Sequence, residues 1–236
     1  RETVSLPATA SAGLTHAVSM ADTDAQGVAA RANEQAGLGC CVLCIANTVE
    51  QAQKWYDAVN GDKDRPFPVG LLHSKFPGFR RDELEADWLD KLGNDSPNRP
   101  AGCVLVATQV VEQSVDIDAD CLITELAPTD MLLQRMGRVW RHGGTARPRG
   151  INPTIRIVCG DAANAMDDAT FRAALGGKSC FVYQPYVLWR TWRVWRERTN
   201  VALPGDIRAL IDATYVEGAA DESSHVAEAK TRLDSG

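Results

Sequence analysis

The chain has 236 residues, of which 44% are hydrophobic and 24% are charged, which is enough apolar material for one core, or for one core with an appendage. Its formal net charge of -6 excludes nucleic-acid binding through bulk positive charge and restricts any such contact to a local patch. No apolar run is long enough to cross a bilayer and no secretion signal opens the sequence, so we expect a cytoplasmic protein without a membrane partner.

The seven cysteines are an odd number, and most of them lie in apolar, strand-like runs. This placement is typical of small buried hydrophobic residues in a reducing compartment, not of a disulfide framework. Cys41 and Cys44 have the spacing of two metal ligands, but no second Cys or His pair follows at zinc-finger spacing. We therefore expect no metal site.

Residues 1–36 are interpreted as an N-terminal segment that packs on the domain following it. They include a short predicted strand, Thr3 to Leu6, and then a Ser/Ala/Gly-rich stretch. Asp22 or Thr23 is expected to cap a helix that runs to about Ala36. A helix before the first core strand suits an α/β unit, but this segment carries no recognisable chemistry.

Five short apolar runs predict a buried parallel sheet. They are Cys40 to Ala46, Val69 to His73, Cys103 to Thr108, Cys121 to Thr124 and Thr154 to Cys159. Helix-like segments separate most of them, and strands joined in this way need right-handed crossovers. We predict an α/β domain at residues 37–160, with a parallel sheet and helices on both faces, followed by a mainly helical C-terminal extension at residues 161–236.

Polar residues follow three of these runs, at the edge where open parallel sheets hold ligands. They are Asn47 and Thr48 after the first run, His73, Ser74 and Lys75 after the second, and Thr108 and Gln109 after the third. Hydroxyl, imidazole and ammonium groups suit phosphate, although His and Ser in such places are more often structural. For Asn47 and Thr48, contact with an anion and simple helix capping are equally supported.

The segment after the fourth run contains Q-x-x-G-R-x-x-R, formed by Gln134, Gly137, Arg138 and Arg141. In a helix over residues 128–143 this spacing places all four residues on one face. Two arginines one turn apart suit a polyphosphate, whose departing phosphoryl group their planar forks can neutralise. A glycine inside a helix indicates that another group approaches closely. A solvated basic helix face is the alternative.

This motif, with the T-Q-V-V-E-Q-S-V-D-I-D-A-D string that precedes it, resembles motifs V and VI of the RecA-like helicases of superfamily two. More narrowly, the T-Q-V-V-E-Q-S string and the L-L-H-S-K-F string at residues 71–76 resemble the helicase-nuclease of type I CRISPR systems. Ser114 stands where many superfamily members have Gly, a departure that the narrower family tolerates.

The resemblance implies the second RecA-like motor lobe of an ATP-dependent DNA helicase or translocase. Its arginine fingers would be Arg138 and Arg141, its other nucleotide contacts Gln134, Gly137 and Asp116, and its DNA contacts the seven polar residues at the strand ends. Asp116 aligns with the acidic residue of motif V, which binds ribose or orients an arginine finger in related helicases. In that family, hydrolysis of ATP moves the two lobes along one DNA strand.

Cofactors and partners are also implied by the resemblance. ATP would lie between two lobes, with Mg2+ held mainly by the first lobe, because this sequence contains no Walker A motif and no D-E-x-H or D-E-A-D box. Single-stranded DNA, a first lobe, a histidine-aspartate nuclease domain and a CRISPR surveillance complex would be partners, and we expect the chain to be a piece of a longer polypeptide.

Two alternatives remain open for the function. One is the C-terminal lobe of another superfamily-two helicase, such as an RNA helicase or a restriction-type translocase. The other is a non-catalytic DNA-binding or docking module that keeps the helicase fold. The V-V-E-Q-S string weighs against the first, and the paired arginines weigh against the second.

The helix predicted from Pro185 to about Arg198 is rich in Trp and Arg. Such a mixture can form a stacking platform for single-stranded DNA. The spacing, however, places Trp192 and Trp195 on one apolar arc and Arg190 and Arg193 on the opposite side. This pattern favours a helix that packs its tryptophans against a core.

Overall fold

The computed structural model describes residues 13–61, 65–113, 115–165, 167, 170–171, 173–174 and 182–215. The strand expected at residues 3–6 lies outside them. A seven-stranded sheet forms the centre of the molecule. Its strands are β1 (Leu14–Ala21), β2 (Cys41–Ile45), β3 (Val69–Leu72), β4 (Cys103–Ala107), β5 (Cys121–Glu125), β6 (Thr154–Val158) and β7 (Asn200–Leu203).

The order across the sheet is β3-β4-β2-β5-β6-β1-β7. All neighbours are parallel except β1 and β7, which pair antiparallel. All five predicted strands are present, so the predicted α/β sheet is confirmed. We call the side where the parallel strands begin the amino edge, and the side where they end the carboxyl edge.

The helices are α1 (Ala25–Gly37), α2 (Val49–Val59), α3 (Gly78–Leu92), α4 (Val110–Gln113), α5 (Thr129–Met136), α6 (Pro185–Trp195) and α7 (Ile207–Tyr215), with a 3-10 turn at Gly160–Asn164. Successive residues of β2 and β4 point to opposite faces of the sheet and form two apolar cores. One core contains α1 and α2, and the other contains apolar residues of α3, α5, α6 and α7. Helices therefore cover both faces, as predicted.

The flanking segments each contribute a strand that the sequence did not indicate. β1 lies between β6 and β7, so one sheet includes residues on both sides of the predicted boundaries at 36/37 and 160/161. The boundaries themselves stay predictions. The cap of α1 was assigned to the wrong residue, because the Asp24 carboxylate, not Asp22 or Thr23, accepts the Gly27 N–H at 2.9 Å.

The helix predicted over residues 128–143 is shorter than expected. α5 ends at Met136 and Gly137 is its C-cap, so the prediction that Gln134, Gly137, Arg138 and Arg141 share one helix face is wrong. The reason is a contact distant in sequence. Val139 forms a parallel bridge with Ala119 just before β5, and this draws the chain out of the helix.

Candidate functional site

The predicted nucleotide-binding arginines gather around one carboxylate near the amino edge. We call Asp116, Arg138, Arg141 and His142 the arginine cluster. The Oδ1 atom of Asp116 lies 2.5 Å from Arg141 Nε, 3.8 Å from Arg138 Nη1 and 3.6 Å from His142 Nε2. The Asp116 side chain is 53% exposed. An exposed acid thus faces two guanidinium groups, which brings together three of the five predicted nucleotide contacts.

The two arginines of this cluster differ in accessibility. Arg138 donates to the main-chain oxygens of Glu112, at 2.5 Å, and of Val115, at 2.9 Å, and only 11% of its side chain is exposed. Arg141 is 28% exposed and donates to Asp116 and to the Gly137 oxygen. Burial, and then the charge of Arg141, lower the pKa of Arg138 against the opposing effects of Asp116 and Glu112. Arg141 is the arginine more accessible to a ligand.

Gly137 contacts this cluster through its main-chain oxygen, which accepts from Arg141 at 3.3 Å, whereas Gln134 lies outside it. The Gln134 side chain is exposed on α5. Gly137 has ordinary helical angles, and a Cβ atom there would lie 3.3 Å from the Gln134 oxygen. The glycine therefore has a local packing reason at the end of α5, whereas the nucleotide contacts of both residues stay predictions.

A buried frame of charges fixes the backbone beside the arginine cluster. Asp116, Asp118 and Asp120 alternate along the loop, but Asp118 and Asp120 are buried and each lies 2.6 Å from a guanidinium nitrogen of Arg147. Asp118 also accepts the Arg141 N–H at 2.9 Å. The D-x-D-x-D spacing is the signal that sequence reasoning did not use, because residues i, i+2 and i+4 of an extended segment line one face, where arginines can pair with all three carboxylates.

The same frame ties this loop to the beginnings of two strands. Arg99, just before β4, pairs with Asp120 at 2.9 Å, and the other oxygen of Asp120 accepts the N–H of Cys41 at 2.7 Å. Trp140 donates its indole N–H to the main-chain oxygen of Asp120, and the Arg147 guanidinium lies over the Trp140 ring. These contacts account for the left-handed backbone of Trp140, whose φ is 52°.

A second network, near the carboxyl edge, centres on Arg135, which sequence reasoning missed. This side chain is fully buried. Its nitrogens lie 2.7 Å from Glu112 Oε1, 2.7 Å from Thr124 Oγ1, 3.1 Å from Asn47 Oδ1 and 3.2 Å from Tyr183 Oη. Burial raises the pKa of Glu112, although the charge of Arg135 opposes this shift.

The position of Arg135 in the sequence held a signal that could have identified it. Arg135 lies beside Met136 and three residues after Leu132, both of which are buried. An arginine on the apolar side of a short amphipathic helix needs partners inside the protein.

Asn47 and Thr48 support the fold directly. The Asn47 amide donates to the Leu126 oxygen at 2.8 Å and accepts from Arg135, and its main-chain oxygen accepts from Gln109 at 2.9 Å. Thr48 caps α2 by accepting the N–H of Gln51 at 3.1 Å. Capping is therefore observed for Thr48. A DNA contact by the Asn47 side chain would have to replace these internal bonds.

The remaining predicted DNA contacts lie along the ends of β3 and β4. His73 is buried and stacks on Phe76, whereas Ser74 and Lys75 are exposed. Burial, and then the charge of Lys75, lower the pKa of His73. Thr108 is buried, and its N–H donates to the Leu72 oxygen at 3.1 Å. Of this group, Ser74 and Lys75 are the side chains most open to a ligand.

The tryptophans of α6 belong to the core. Trp189, Trp192 and Trp195 are all buried, and the Trp195 indole donates to Thr129 at 2.9 Å. Packing was therefore the correct interpretation for these rings. The prediction that Arg190 faces away from the core was wrong, because it is 5% exposed and donates to the Ala213 oxygen.

Neither a metal centre nor a membrane span was found in the part of the chain that the structure describes. Within these residues no group of three His, Cys, Asp or Glu side chains is placed to hold a metal ion. The helices among them are all too short or too polar to cross a bilayer.

Comparison with known proteins gives consistent matches. Residues 38–144 match the family model described as CRISPR-associated nuclease/helicase Cas3, C-terminal. The CRISPR-associated endonuclease/helicase Cas3 of Thermus thermophilus is 40% identical over 158 residues, which are 66% of this chain and 16% of that protein. The chain thus spans a small part of its relative's length.

Solved structures agree in fold as well as in sequence. The crystal structure of T. fusca Cas3-ATP has a TM-score of 0.82 and 30% identity, covering 97% of this chain and 26% of that one. A chain of a CRISPR RNA-guided surveillance complex, pre-nicking, has a TM-score of 0.74 and 30% identity, covering 94% and 27%. The α/β sheet is thus the one found in Cas3 structures, and the chain belongs with the C-terminal helicase portion of the CRISPR-associated Cas3 family.

Proposed function

We propose that this chain is the second motor lobe of an ATP-dependent DNA helicase or translocase that acts in CRISPR interference. In this proposal Arg141 and Arg138 act as arginine fingers toward ATP that a first lobe holds together with most of the Mg2+ coordination. The observation that carries it is the arginine cluster, in which the exposed Asp116 lies 2.5 Å from Arg141 Nε.

This geometry suits a transition state that gains negative charge. Asp116 orients the Arg141 guanidinium through Nε and leaves its terminal nitrogens less engaged, with one of them 3.3 Å from the Gly137 oxygen. A terminal phosphoryl group can therefore bind the end of the fork. Arg138 is held more firmly, by two main-chain oxygens. Because its side chain can move less than that of Arg141, it acts either after a small shift or without touching the phosphoryl group directly.

Contact with single-stranded DNA is assigned to the opposite edge of the sheet. β5 is five residues long, so roughly 16 Å of strand separates the two edges. The segment from Thr108 to Gln113 connects them. Glu112 binds Arg135 with its carboxylate and Arg138 with its main-chain oxygen, so movement of this segment on DNA binding would be felt at the arginine cluster.

The relatives supply the biological setting. One similar structure is that of T. fusca Cas3-ATP, and another is a chain of a CRISPR RNA-guided surveillance complex. We infer the same nucleotide for this chain, and as partners a surveillance complex, a first lobe and a nuclease domain. A lobe from an RNA helicase or a restriction-type translocase, and a docking module without catalysis, are the competing functions.

The steady-state ATPase activity of the purified chain, with and without single-stranded DNA, tests whether this chain supplies only one side of the ATP site. We expect negligible hydrolysis, because the sequence contains no Walker A motif. Adding a first lobe should restore DNA-stimulated turnover. Robust turnover by the chain alone, abolished by Arg141→Ala, would contradict the proposal, and unchanged turnover of the complete enzyme carrying Arg141→Ala would favour a docking module.

A further inference from the structure

One exposed aromatic side chain lies beside the edge that we assign to DNA. Phe79 is 72% exposed, more than any other large hydrophobic side chain in the described residues. It lies in the first turn of α3, which begins six residues after the end of β3 at Leu72. Single exposed apolar residues are common on protein surfaces, so exposure alone assigns no role to Phe79.

The charges around Phe79 point to an anion. Lys75, Arg80 and Arg81 lie within seven residues, and no acidic residue occurs among residues 73–81. This is a short run of positive charge on a chain whose net charge is -6, and Asp82 and Glu83 follow it directly on α3. A polyanion could be attracted here although the protein as a whole repels it.

The order of charges along α3 strengthens this argument. The positive end of the helix dipole favours acidic residues in the first turn, yet the first turn of α3 contains no acid and has Arg80 in it. The acids of this helix follow from Asp82 onward. Arg80 pairs with Glu83 in an exposed helix pair of little stability, which a phosphate group can replace, and Arg81 pairs with the partly buried Glu85. The unfavourable placement of the basic residues is explained if an external anion lies at this end.

We propose that Phe79 is a base-stacking residue for single-stranded DNA, with Lys75 and Arg80 contacting the phosphates on either side of the stacked nucleotide. Every base has a flat face, so an aromatic ring between cations binds a strand without regard to sequence, as a translocating motor requires. This inference rests on the proposed function and adds to it a residue outside the predicted contacts.

The test measures the affinity of the full chain for two fluorescent strands of about 12 nucleotides. One is oligothymidylate, and the other has the same backbone with abasic internal positions. Phe79→Ala should weaken binding of oligothymidylate by roughly tenfold and leave the affinity for the abasic strand within about twofold. Phe79→Tyr should retain the difference between the strands. Leu89→Ala, at an exposed apolar position on the same helix (44% exposed), should change neither affinity.

The outcomes separate this inference from the function on which it rests. If the parent chain binds oligothymidylate but Phe79→Ala affects both strands equally, or neither, base stacking is wrong and DNA binding stands. If the parent binds neither strand, the DNA-binding part of the proposed function fails as well. A lower melting temperature of the complete enzyme carrying Phe79→Ala, measured without DNA, would show that another part of the enzyme covers the ring and would also overturn the proposal.

Discussion

The two edges of the sheet use the same types of side chain for different purposes. Near the carboxyl edge, Arg135 is fully buried and surrounded by partners, whereas near the amino edge Arg141 is partly exposed and held mainly by the exposed Asp116. Both arginines belong to one motif and are six residues apart. Residue type and spacing therefore identify a motif, but burial decides which arginine stabilises the protein and which is available to a ligand.

The largest expected effect comes from changing the exposed arginine. In the complete enzyme, Arg141→Lys should lower the kcat for ATP hydrolysis by roughly 10³-fold, or about 4 kcal/mol of barrier, because lysine keeps the charge but loses the fork. The KM for ATP and the melting temperature should change little. Arg208→Lys, at a side chain that is 94% exposed, is the matched control and should leave kcat unchanged.

Arg138→Lys sharpens the contrast within the cluster. We expect a comparable fall in kcat, but here the melting temperature should fall as well, because lysine cannot satisfy both main-chain oxygens that Arg138 binds. If both lysine variants turn over ATP within about threefold of the parent, less than 1 kcal/mol of barrier is at stake, and neither arginine acts as a finger.

The buried arginine should behave in the opposite way. Arg135→Met should lower the free energy of unfolding by at least about 3 kcal/mol, because it leaves the buried Glu112 carboxylate without its charge partner. Urea denaturation of the isolated chain measures this. The double variant Arg135→Met/Glu112→Leu should recover much of the loss. If the single variant is as stable as the parent, the ion pair does not hold the carboxyl edge together.

Thr108→Ala tests whether the edges have separate tasks. Stimulation of the complete enzyme's ATPase by single-stranded DNA should weaken about tenfold, the equivalent of one hydrogen bond to a charged group, while nucleotide affinity changes less than twofold. Thr199→Ala, at an exposed position before β7, is the control. Equal losses of DNA stimulation and nucleotide affinity would contradict the division between the edges.

The smallest expected effect is a pH dependence at the carboxyl edge. Because the pKa of His73 is lowered in the folded protein, the unfolded chain takes up a proton near pH 6.5 that the folded chain does not. The free energy of unfolding should therefore fall as the pH is lowered through that value, by less than about 1.4 kcal/mol per pH unit.

Melting temperatures between about pH 7.5 and pH 5.5 measure this effect on either side of the histidine pKa. His73→Gln should flatten the curve. Some slope should remain, because burial also lowers the pKa of His16. An unchanged slope in His73→Gln would show that His73 does not contribute.

The local sequence pattern was sufficient to predict the strands that are buried on both faces. β2 and β4 are covered on both faces and their residues are buried throughout, so each gives a continuous apolar run. Buried and exposed residues alternate along β1, which is the pattern of a half-buried strand, but His16 occupies one of the buried positions and interrupts the apolar period, so the strand was missed. No propensity rule assigns an imidazole to a sheet core. The pairing with β6 and β7 makes the strand.

The end of α5 and the role of Arg135 were missed for a shared reason. Each is decided by contacts across the sequence, the bridge between Ala119 and Val139 in the first case and the partners Glu112 and Thr124 in the second. The arginine motif could be located from the sequence, but the division of labour among its three arginines could not, because it depends on which carboxylates and carbonyls the fold brings near.

The position of β1 has a consequence for how the chain is made. Of the seven strands of the sheet this one leaves the ribosome first, but its partners β6 and β7 begin at Thr154 and Asn200. At a synthesis rate of about 5 to 20 residues per second, β1 therefore waits on the order of ten seconds or more before both neighbours exist. Until β6 emerges, β2, β4 and β5 can assemble as an incomplete sheet and β1 stays unpaired, and until β7 emerges one side of β1 still lacks its partner. We therefore expect the nascent chain to bind chaperones and to be cleaved by proteases most readily before the strand at Asn200–Leu203 emerges.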